Sequence, residues 1–445
     1  MLLDTLINKE EQGYEVSALY GELQAMPDSY DSVSEFASKL GKLSYRSGWN
    51  YVEPDDLDDI LETCGKNRPQ GAISKIDFGN SAERVQTAFY ASVCGCILGK
   101  PVEEFPLPTY YEMKKALQKA GEWPMRDYLT EGTLQALGRR NVCWTETTRG
   151  RIEYVAADDD ITYTIMGMRI LEKYGIHFTK DNIRQLWIEN LPIYTCWGPE
   201  RTMLLKAGIA SLAPDEPCDL NDWVTILNPG DELCGALIRA DAYGYACPGR
   251  PQLAAQLAYR DASWTHRKTG VYGAMFVAAA IAAAQVMDDR MGIFELALEY
   301  IPQKSRFHEI AADSLQQVEK ADDFEKAYDG LHTKYQKYGA CRIYQEIGTL
   351  MNTLKFAENI PDGFCKQVAQ GNDTDSFGAT SGSLLGAYFG ADGFDSRWLE
   401  PFHDKLETTM GGFFDHSLSH VAARMAALPA LVESELQRDE KKIDH

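Results

Sequence analysis

Apolar residues recur every three to four positions along most of the chain, and runs that alternate apolar and polar residues are nearly absent. The first pattern is typical of amphipathic helices and the second of strands, so the sequence predicts an all-α fold. Residues 83–99 are a clear case. Their apolar stripe has four members at steps of four: Val85, Phe89, Val93 and Ile97. A glycine and a proline directly afterwards predict the end of this helix.

The same periodicity predicts helices at 161–171, 181–189, 200–213 and 252–261. Segment 104–150 contains several prolines and glycines and predicts a long connection with broken helices, and segment 228–251 is predicted to be rich in loops. Residues 271–287 are almost wholly apolar but rich in alanine, and they are short for a bilayer span. We expect a buried central helix there, because alanine contributes little to membrane transfer.

The first part of the chain has a different character. Up to about residue 75 it mixes short amphipathic stretches with acidic turns and carries no recognisable site chemistry. We expect an N-terminal helical extension over residues 1–77 and one large catalytic domain over residues 78–445.

Charge and cysteine content narrow the range of partners. The 66 acidic residues outnumber the 44 basic ones, and the formal net charge of −22 disfavours binding to nucleic acids and to anionic membranes. The ten cysteines form no C-x-x-C pair, so we expect reduced thiols rather than a disulfide framework. Asp4 and Lys9 interrupt the apolar start, which argues against a signal peptide and predicts a cytoplasmic protein.

Two acidic clusters stand out. Asp158, Asp159 and Asp160 directly precede the helix that begins near residue 161. One aspartate at a helix start is favourable by about 0.5–2 kcal/mol, but three adjacent carboxylates repel one another beyond what a cap requires. Carboxylate oxygens are preferred ligands of hard divalent ions such as Mg²⁺. The cluster therefore indicates either a helix cap or a metal site.

The second cluster favours the metal. Asp373, Asp375 and Ser376 again precede a helical run, and two such clusters suit a shared, dinuclear site. The run that follows has glycines at steps of four, at 378, 382, 386 and 390, which predicts close helix packing. Such packing would hold the clusters rigidly.

Three segments occur in the order seen in ADP-ribosylglycohydrolases: residues 95–103, the three consecutive aspartates, and residues 371–376. The resemblance extends over about residues 80 to 430. It implies a compact orthogonal bundle of helices around two Mg²⁺ ions, with Mn²⁺ as an alternative ion. It also implies a magnesium-dependent hydrolase that cleaves an N- or O-glycosidic bond of an ADP-ribosyl or related ribosyl substrate, small or protein-linked.

The resemblance also assigns roles to individual residues. Glu103 matches a family glutamate associated with catalysis or gating, while Cys96 stands where the family usually has aspartate. Asp158 falls at a threonine position of the second motif, and Asp159 and Asp160 fall at its metal-binding aspartates. In the last motif Asp373, Asp375 and Ser376 match the ligands, and Asn372 replaces a glycine. The expected catalytic carboxylates are Glu103, Asp159 and Asp373.

Two weaker similarities lie between these motifs. Residues 235–239 resemble a substrate loop, so Arg239 is expected to contact a substrate phosphate or to pair with Asp241. Residues 261–266 resemble a D-A-x-x-T-H motif, so His266 is a candidate for substrate binding, or a hydrogen-bonded structural histidine. The aglycone and the oligomeric state cannot be read from these patterns.

Two other functions fit parts of the pattern. A class I isoprenoid cyclase is also all-α and also binds magnesium through aspartates, but Thr380 stands where its second motif would close with glutamate. A non-catalytic module that binds ADP-ribose would keep the cleft without turnover. The intact set of acidic ligands favours an enzyme.

Overall fold

The computed structural model describes residues 1–210 and 220–443, which form helices joined by loops and short 3₁₀ turns. These described residues contain no strand, only isolated β-bridges, and the all-α prediction is confirmed. The first helices are α1 (Leu2–Glu11), α2 (Leu19–Ala25), α3 (Tyr30–Leu40), α4 (Leu57–Thr63), α5 (Phe78–Gly99), α6 (Tyr110–Ala120), α7 (Glu131–Leu137) and α8 (Trp144–Thr147).

The remaining helices follow the first acidic cluster. They are α9 (Asp159–Tyr174), α10 (Lys180–Asn190), α11 (Gly198–Ala210), α12 (Leu220–Thr225), α13 (Asp241–Ala246), α14 (Pro251–Ala262), α15 (Thr269–Ala284), α16 (Arg290–Leu298), α17 (Arg306–Lys320), α18 (Phe324–Tyr335), α19 (Tyr344–Phe356), α20 (Ile360–Ala369), α21 (Thr374–Phe389) and α22 (Leu418–Ile443). Helix α15 is buried along its whole length, as the apolar run predicted. Among the described residues, no helix is both long and apolar enough to cross a bilayer.

The N-terminal helices α1 and α3 pack around a small core of their own. Its buried members are Leu6, Val16, Phe36 and Leu40. This unit contacts the main body through polar groups, since the amides of Asn8 and Gln12 both donate hydrogen bonds to Asp231 Oδ1, at 2.7 and 2.8 Å. Helix α4 differs from α1–α3, because its buried Ile60 belongs to the main core.

Helices α5 and α21 pack antiparallel with their backbones in contact. A Cβ atom added to Gly378 would lie 2.3 Å from the carbonyl oxygen of Gly95, and one added to Gly382 would lie 2.2 Å from that of Ala91. The glycine steps in the sequence therefore serve tight packing, as predicted. Because the pair is antiparallel, the C-terminal end of α5 meets the N-terminal end of α21, with Gly99 against Thr374.

Boundaries differ from the sequence pattern in several places. Helix α5 begins at Phe78, five residues before the predicted start at residue 83, because the Asp77 side chain caps it by accepting hydrogen bonds from two backbone amides. Segment 104–150 has three short helices between loops, as expected. Segment 228–251 is more helical than predicted, with a 3₁₀ turn at Cys234–Arg239 followed by α13. Residues 211–213 of the predicted helix 200–213 lie outside the described residues.

Candidate active site in an acidic cleft

Three helix ends converge on one cleft of about 550 Å³. The C-terminal end of α5 contributes Lys100 and Glu103, the loop before α9 contributes Asp158 and Asp159, and the start of α21 contributes the second acidic cluster. The cleft is lined by Lys100, Glu103, Asp158, Asp159, Asp373, Asp375 and Ser376, together with apolar and loop residues. Asp160 is buried, and the Ser376 hydroxyl lies 3.3 Å from Asp160 Oδ2. The structure therefore brings all seven predicted metal or catalytic positions together.

Asp158 has two roles. Its Oδ1 accepts a hydrogen bond of 3.0 Å from the backbone amide of Asp160, so it is the N-cap of α9. Its Oδ2 lies 2.9 Å from the ammonium of Lys100. Burial by itself would raise the pKa of Asp158, but Lys100 and the contacts from Asp160 outweigh it and hold that pKa below its ordinary value.

Lys100 lies inside the acidic cluster. Its Nζ donates hydrogen bonds to Asp375 Oδ2 at 2.7 Å and to Glu103 Oε2 at 3.3 Å, in addition to the contact with Asp158. Burial by itself would lower the pKa of Lys100, but the facing carboxylates raise it above its usual value. The sequence analysis assigned Lys100 no role, since nothing local to residues 95–103 shows that its side chain turns toward carboxylates far along the chain.

The other carboxylates of the cleft repel one another, and this repulsion favours their protonated forms. Burial, followed by repulsion from neighbouring carboxylates, raises the pKa of Asp159 to about 7 and holds the pKa of Asp160 well above its usual range. Burial and the same repulsion raise the pKa of Glu103 to about 8. Burial also raises the pKa of Asp373. One ammonium therefore does not balance the negative charge that these groups would carry.

The donor set fits a hard divalent cation. Asp160 Oδ1 and Asp375 Oδ1 are buried and have no hydrogen-bond partner, which is costly for a carboxylate unless something binds it. Oxygen ligands from carboxylates and a serine hydroxyl suit Mg²⁺ or Mn²⁺. The oxygens of Glu103, Asp373 and Asp375 approach one another within 4.8 Å. The cleft therefore holds acidic groups able to bind a metal ion.

Three cysteines border the carboxylates. Cys96 is fully buried, and its sulfur lies within 4.8 Å of oxygens of Asp158 and Asp160. Cys234 and Cys341 each donate a hydrogen bond of 3.4 Å from Sγ to Asp373 Oδ2. The sequence analysis noted Cys96 but not the other pair, which comes from distant loops. These two contacts hold the Asp373 carboxylate between two distant loops.

The loop before α21 has two consecutive residues in the left-handed region. Gly371 has φ +76°, and a Cβ atom there would lie 2.0 Å from the carbonyl oxygen of Pro108. Asn372 follows with φ +61°, a left-handed conformation that asparagine tolerates better than most residues. The replacement of glycine by Asn372 is thus compatible with the turn that presents Asp373.

Arg239 and His266 lie beneath the cleft rather than in its wall. Both residues are 1% exposed. The guanidinium of Arg239 contacts Glu200 and Asp261, and not Asp241, which the sequence analysis had offered as its partner. His266 Nδ1 lies 2.7 Å from Thr265 Oγ1, and burial followed by the charge of Arg239 lowers the pKa of His266 well below its usual range. Direct contact of either side chain with a substrate has no support in this geometry.

A larger cleft of about 680 Å³ lies between the N-terminal helices and the main body. Its lining contains five acidic and five basic side chains, so their formal charges balance. Arg306 contacts Glu53 and Glu232, and Arg342 contacts Glu11. Charge balance of this kind gives no reason to place a cation there, in contrast to the acidic cleft.

The fold and the site define an all-helical protein with an acidic cleft between helix ends. The model of the ADP-ribosylglycohydrolase family matches residues 79–432. Because this match covers most of the 445 residues, the chain belongs to the ADP-ribosylglycohydrolase family. The resemblance noted from the motifs is thereby confirmed, and the isoprenoid cyclase alternative is left without support.

Other comparisons add little. No curated protein matches the sequence. One similar solved structure is described as an ADP-ribosylglycohydrolase-related protein complex; it shares 18% sequence identity, with a TM-score of 0.49 over 80% of this chain and 99% of that one. Similarity at this level carries no conclusion about function. Family membership itself supports a hydrolase of ADP-ribosyl substrates.

Proposed function

We propose that this protein is a magnesium-dependent glycoside hydrolase that cleaves the bond between an ADP-ribosyl group, or a related ribosyl group, and its acceptor. The observation that carries the proposal is the convergence of two acidic clusters, 215 residues apart from Asp160 to Asp375, at the base of one open cleft. Family membership supplies the substrate class. The acceptor is left open between a protein side chain and a small molecule.

The carboxylates of the cleft would hold the metal. Asp158, Asp160, Asp373 and Asp375 with Ser376 present the oxygen ligands, and Asp159 lines the cleft beside them. A bound divalent cation would make a water or hydroxyl ligand more acidic and stabilise negative charge near the sugar. Manganese has similar ligand preferences and is the natural substitute in experiments.

Glu103 is the best-placed group for proton transfer. It is partly exposed to the cleft, and its Oε2 accepts hydrogen bonds from Lys100 and, at 3.0 Å, from the side-chain amide of Asn141. Without a bound metal, burial raises the pKa of Glu103 to about 8, and a protonated Glu103 would donate a proton to the departing acceptor. Asp159 and Asp373 remain candidates for the base that receives a proton from water.

Aromatic side chains at the rim suit a nucleotide. Phe105 and Trp197 line the cleft and are 71% and 62% exposed. Large exposed aromatic rings beside a polar cleft are typical of binding surfaces, because they offer flat apolar area for stacking. The adenine of an ADP-ribosyl substrate would have such a surface within the same cleft.

The test is a substrate panel with a matched pair of variants. Wild-type protein and Mg²⁺ are incubated with ADP-ribosylated proteins, ADP-ribose derivatives and nucleosides, and released ribosyl compounds are measured by mass spectrometry. Asp375→Asn is expected to lower turnover by roughly 100-fold or more, whereas Asp392→Asn on the exposed surface leaves it unchanged. Undiminished turnover in Asp375→Asn contradicts the proposal.

Calorimetry distinguishes the proposed enzyme from the remaining alternative, a non-catalytic binding module. A non-catalytic module binds ADP-ribose but releases no product at any magnesium concentration. The proposed enzyme shows both magnesium-dependent binding and product release.

A further inference from the structure

The position of Lys100 bears on how many metal ions the cleft holds. Its side chain is 14% exposed and reaches oxygens from both acidic clusters, with Nζ 2.9 Å from Asp158 Oδ2 and 2.7 Å from Asp375 Oδ2. A group that joins the two clusters in this way occupies the place where a bridging cation would lie. The ammonium is itself a compact cation with three N–H donors, suited to several carboxylates at once.

The backbone keeps Lys100 at this place. Gly99 packs against Thr374 so closely that an added Cβ atom would lie 2.1 Å from the Thr374 carbonyl oxygen, and the Thr374 hydroxyl donates a hydrogen bond of 2.9 Å to the Gly99 carbonyl. Pro101 fixes the backbone dihedral angle directly after Lys100. The side chain therefore starts from a rigid point at the junction of α5 and α21, beside the carboxylates that it contacts.

The carboxylate oxygens fall into two groups. Glu103 Oε2, Asp158 Oδ2 and Asp375 Oδ2 face the ammonium. Asp160 Oδ1 and Asp375 Oδ1 are buried without a hydrogen-bond partner. The second group, which includes an oxygen of the Asp160 that the Ser376 hydroxyl contacts, offers unpartnered ligands for a metal ion. A further divalent ion bound to the first group would lie within a few ångströms of a positive charge in a partly buried site, where like charges repel strongly.

We propose that the Lys100 ammonium takes one of the two cation positions that the family resemblance implies, so that the cleft binds a single divalent ion per chain. This inference rests on the proposed function for the identity of the metal. It changes the expected site from a dinuclear centre to a mixed one, in which an ammonium and one metal ion share Asp375.

The test counts bound Mn²⁺ per chain in the full-length protein. Titration calorimetry gives the stoichiometry, and electron paramagnetic resonance distinguishes an isolated Mn²⁺ from a coupled pair. The wild type is expected to bind about one Mn²⁺. Lys100→Met, which keeps the length of the side chain and removes its charge, is expected to bind about two. Lys100→Arg keeps the charge and is expected to stay at about one.

Controls make each outcome decisive. Lys326→Met removes a surface lysine that contacts Asp322 and Asp323 at 3.2 Å each, and it should leave the Mn²⁺ count unchanged. Circular dichroism checks that each variant folds, and Lys100→Gln replaces Lys100→Met if the latter does not. Two ions in the wild type, or one ion in the uncharged variants, overturn the inference.

The same measurements separate this inference from the proposed function. One bound ion without hydrolysis of any ADP-ribosyl compound would contradict the proposed activity and leave the inference standing. Hydrolysis with two bound ions would contradict the inference and leave the proposed activity standing. A wild type that binds no Mn²⁺ contradicts both.

Discussion

The acidic cleft and the buried network around Arg239 hold charges in opposite ways. In the network, the five N–H groups of Arg239 donate to Glu200 Oε1, Asp261 Oδ1, the Thr265 hydroxyl and the carbonyls of Gly235 and Asp261, at 2.6 to 3.3 Å. Every donor of the guanidinium is used. In the cleft, one lysine contacts three carboxylates, and buried oxygens of Asp160 and Asp375 have no hydrogen-bond partner.

The two regions differ in what assembles them. Charge complementarity holds the Arg239 network together by itself. The carboxylates of the cleft repel one another, so they must be brought together by something else, namely the backbone contact between α5 and α21. The surplus negative charge of the cleft is thus held in place by backbone packing, whereas opposite charges hold the Arg239 network together.

The largest effect is expected where the Arg239 network is broken. Arg239→Met leaves Glu200 and Asp261 buried without their cation, and we expect a loss of roughly 3–5 kcal/mol in the free energy of unfolding, measured by urea denaturation. The matched control is Arg424→Met, which removes partly exposed contacts with Glu172 and Asp415 and should cost roughly 0–1 kcal/mol. Similar losses in the two variants would mean that the network is not self-supporting.

A smaller loss of stability is expected from a substitution that disturbs helix packing without changing any charge. In Gly382→Ala the added Cβ atom meets the Ala91 carbonyl, so α5 and α21 must separate, at a cost of about 1–3 kcal/mol. Affinity for Mn²⁺ should fall in parallel, because the clusters move apart. Gly21→Ala in α2 meets nothing within 4 Å and should be neutral or slightly stabilising. Full Mn²⁺ affinity in Gly382→Ala would show that packing does not hold the cleft.

The smallest effect has the opposite sign. Without metal, in EDTA at pH 8, Asp160→Asn removes one of the mutually repelling carboxylates, and we expect a gain of about 1 kcal/mol in the free energy of unfolding. Added Mg²⁺ should stabilise the wild type but not this variant. Asp158→Asn, which loses charge at the helix cap beside Lys100, should be destabilised instead. A stability loss in both variants would show that the cleft carries no repulsive strain.

Much of the architecture could be predicted from local patterns. Helical periodicity identified α9, α10, α14 and the buried α15, since the contact of one helical face with the core repeats every three to four residues. Motif order also identified the family. Helix starts were less accurate, as for α5, where the Asp77 cap extends the helix into residues that lack an apolar stripe.

The composition of the site was only partly predictable. The carboxylates of the two clusters could be named because their chemistry is local: adjacent acidic residues before a helix carry more charge than a cap needs. Cys234 and Cys341 could not, since a single cysteine in a loop gives no sign of which carboxylate it will contact. Their shared acceptor, Asp373, lies 139 and 32 residues away along the chain.

By itself, the sequence determined the helices, their buried faces and the two acidic clusters, because each of these follows from neighbouring residues. The tertiary structure alone decided which cation meets which carboxylate. Arg239 pairs with Glu200 and Asp261 instead of nearby Asp241, and Lys100 reaches Asp375, 275 residues away. Such pairings depend on which helix ends lie close together in space. For Lys100, the antiparallel packing of α5 against α21 determines this, and the spacing of residues along the chain does not.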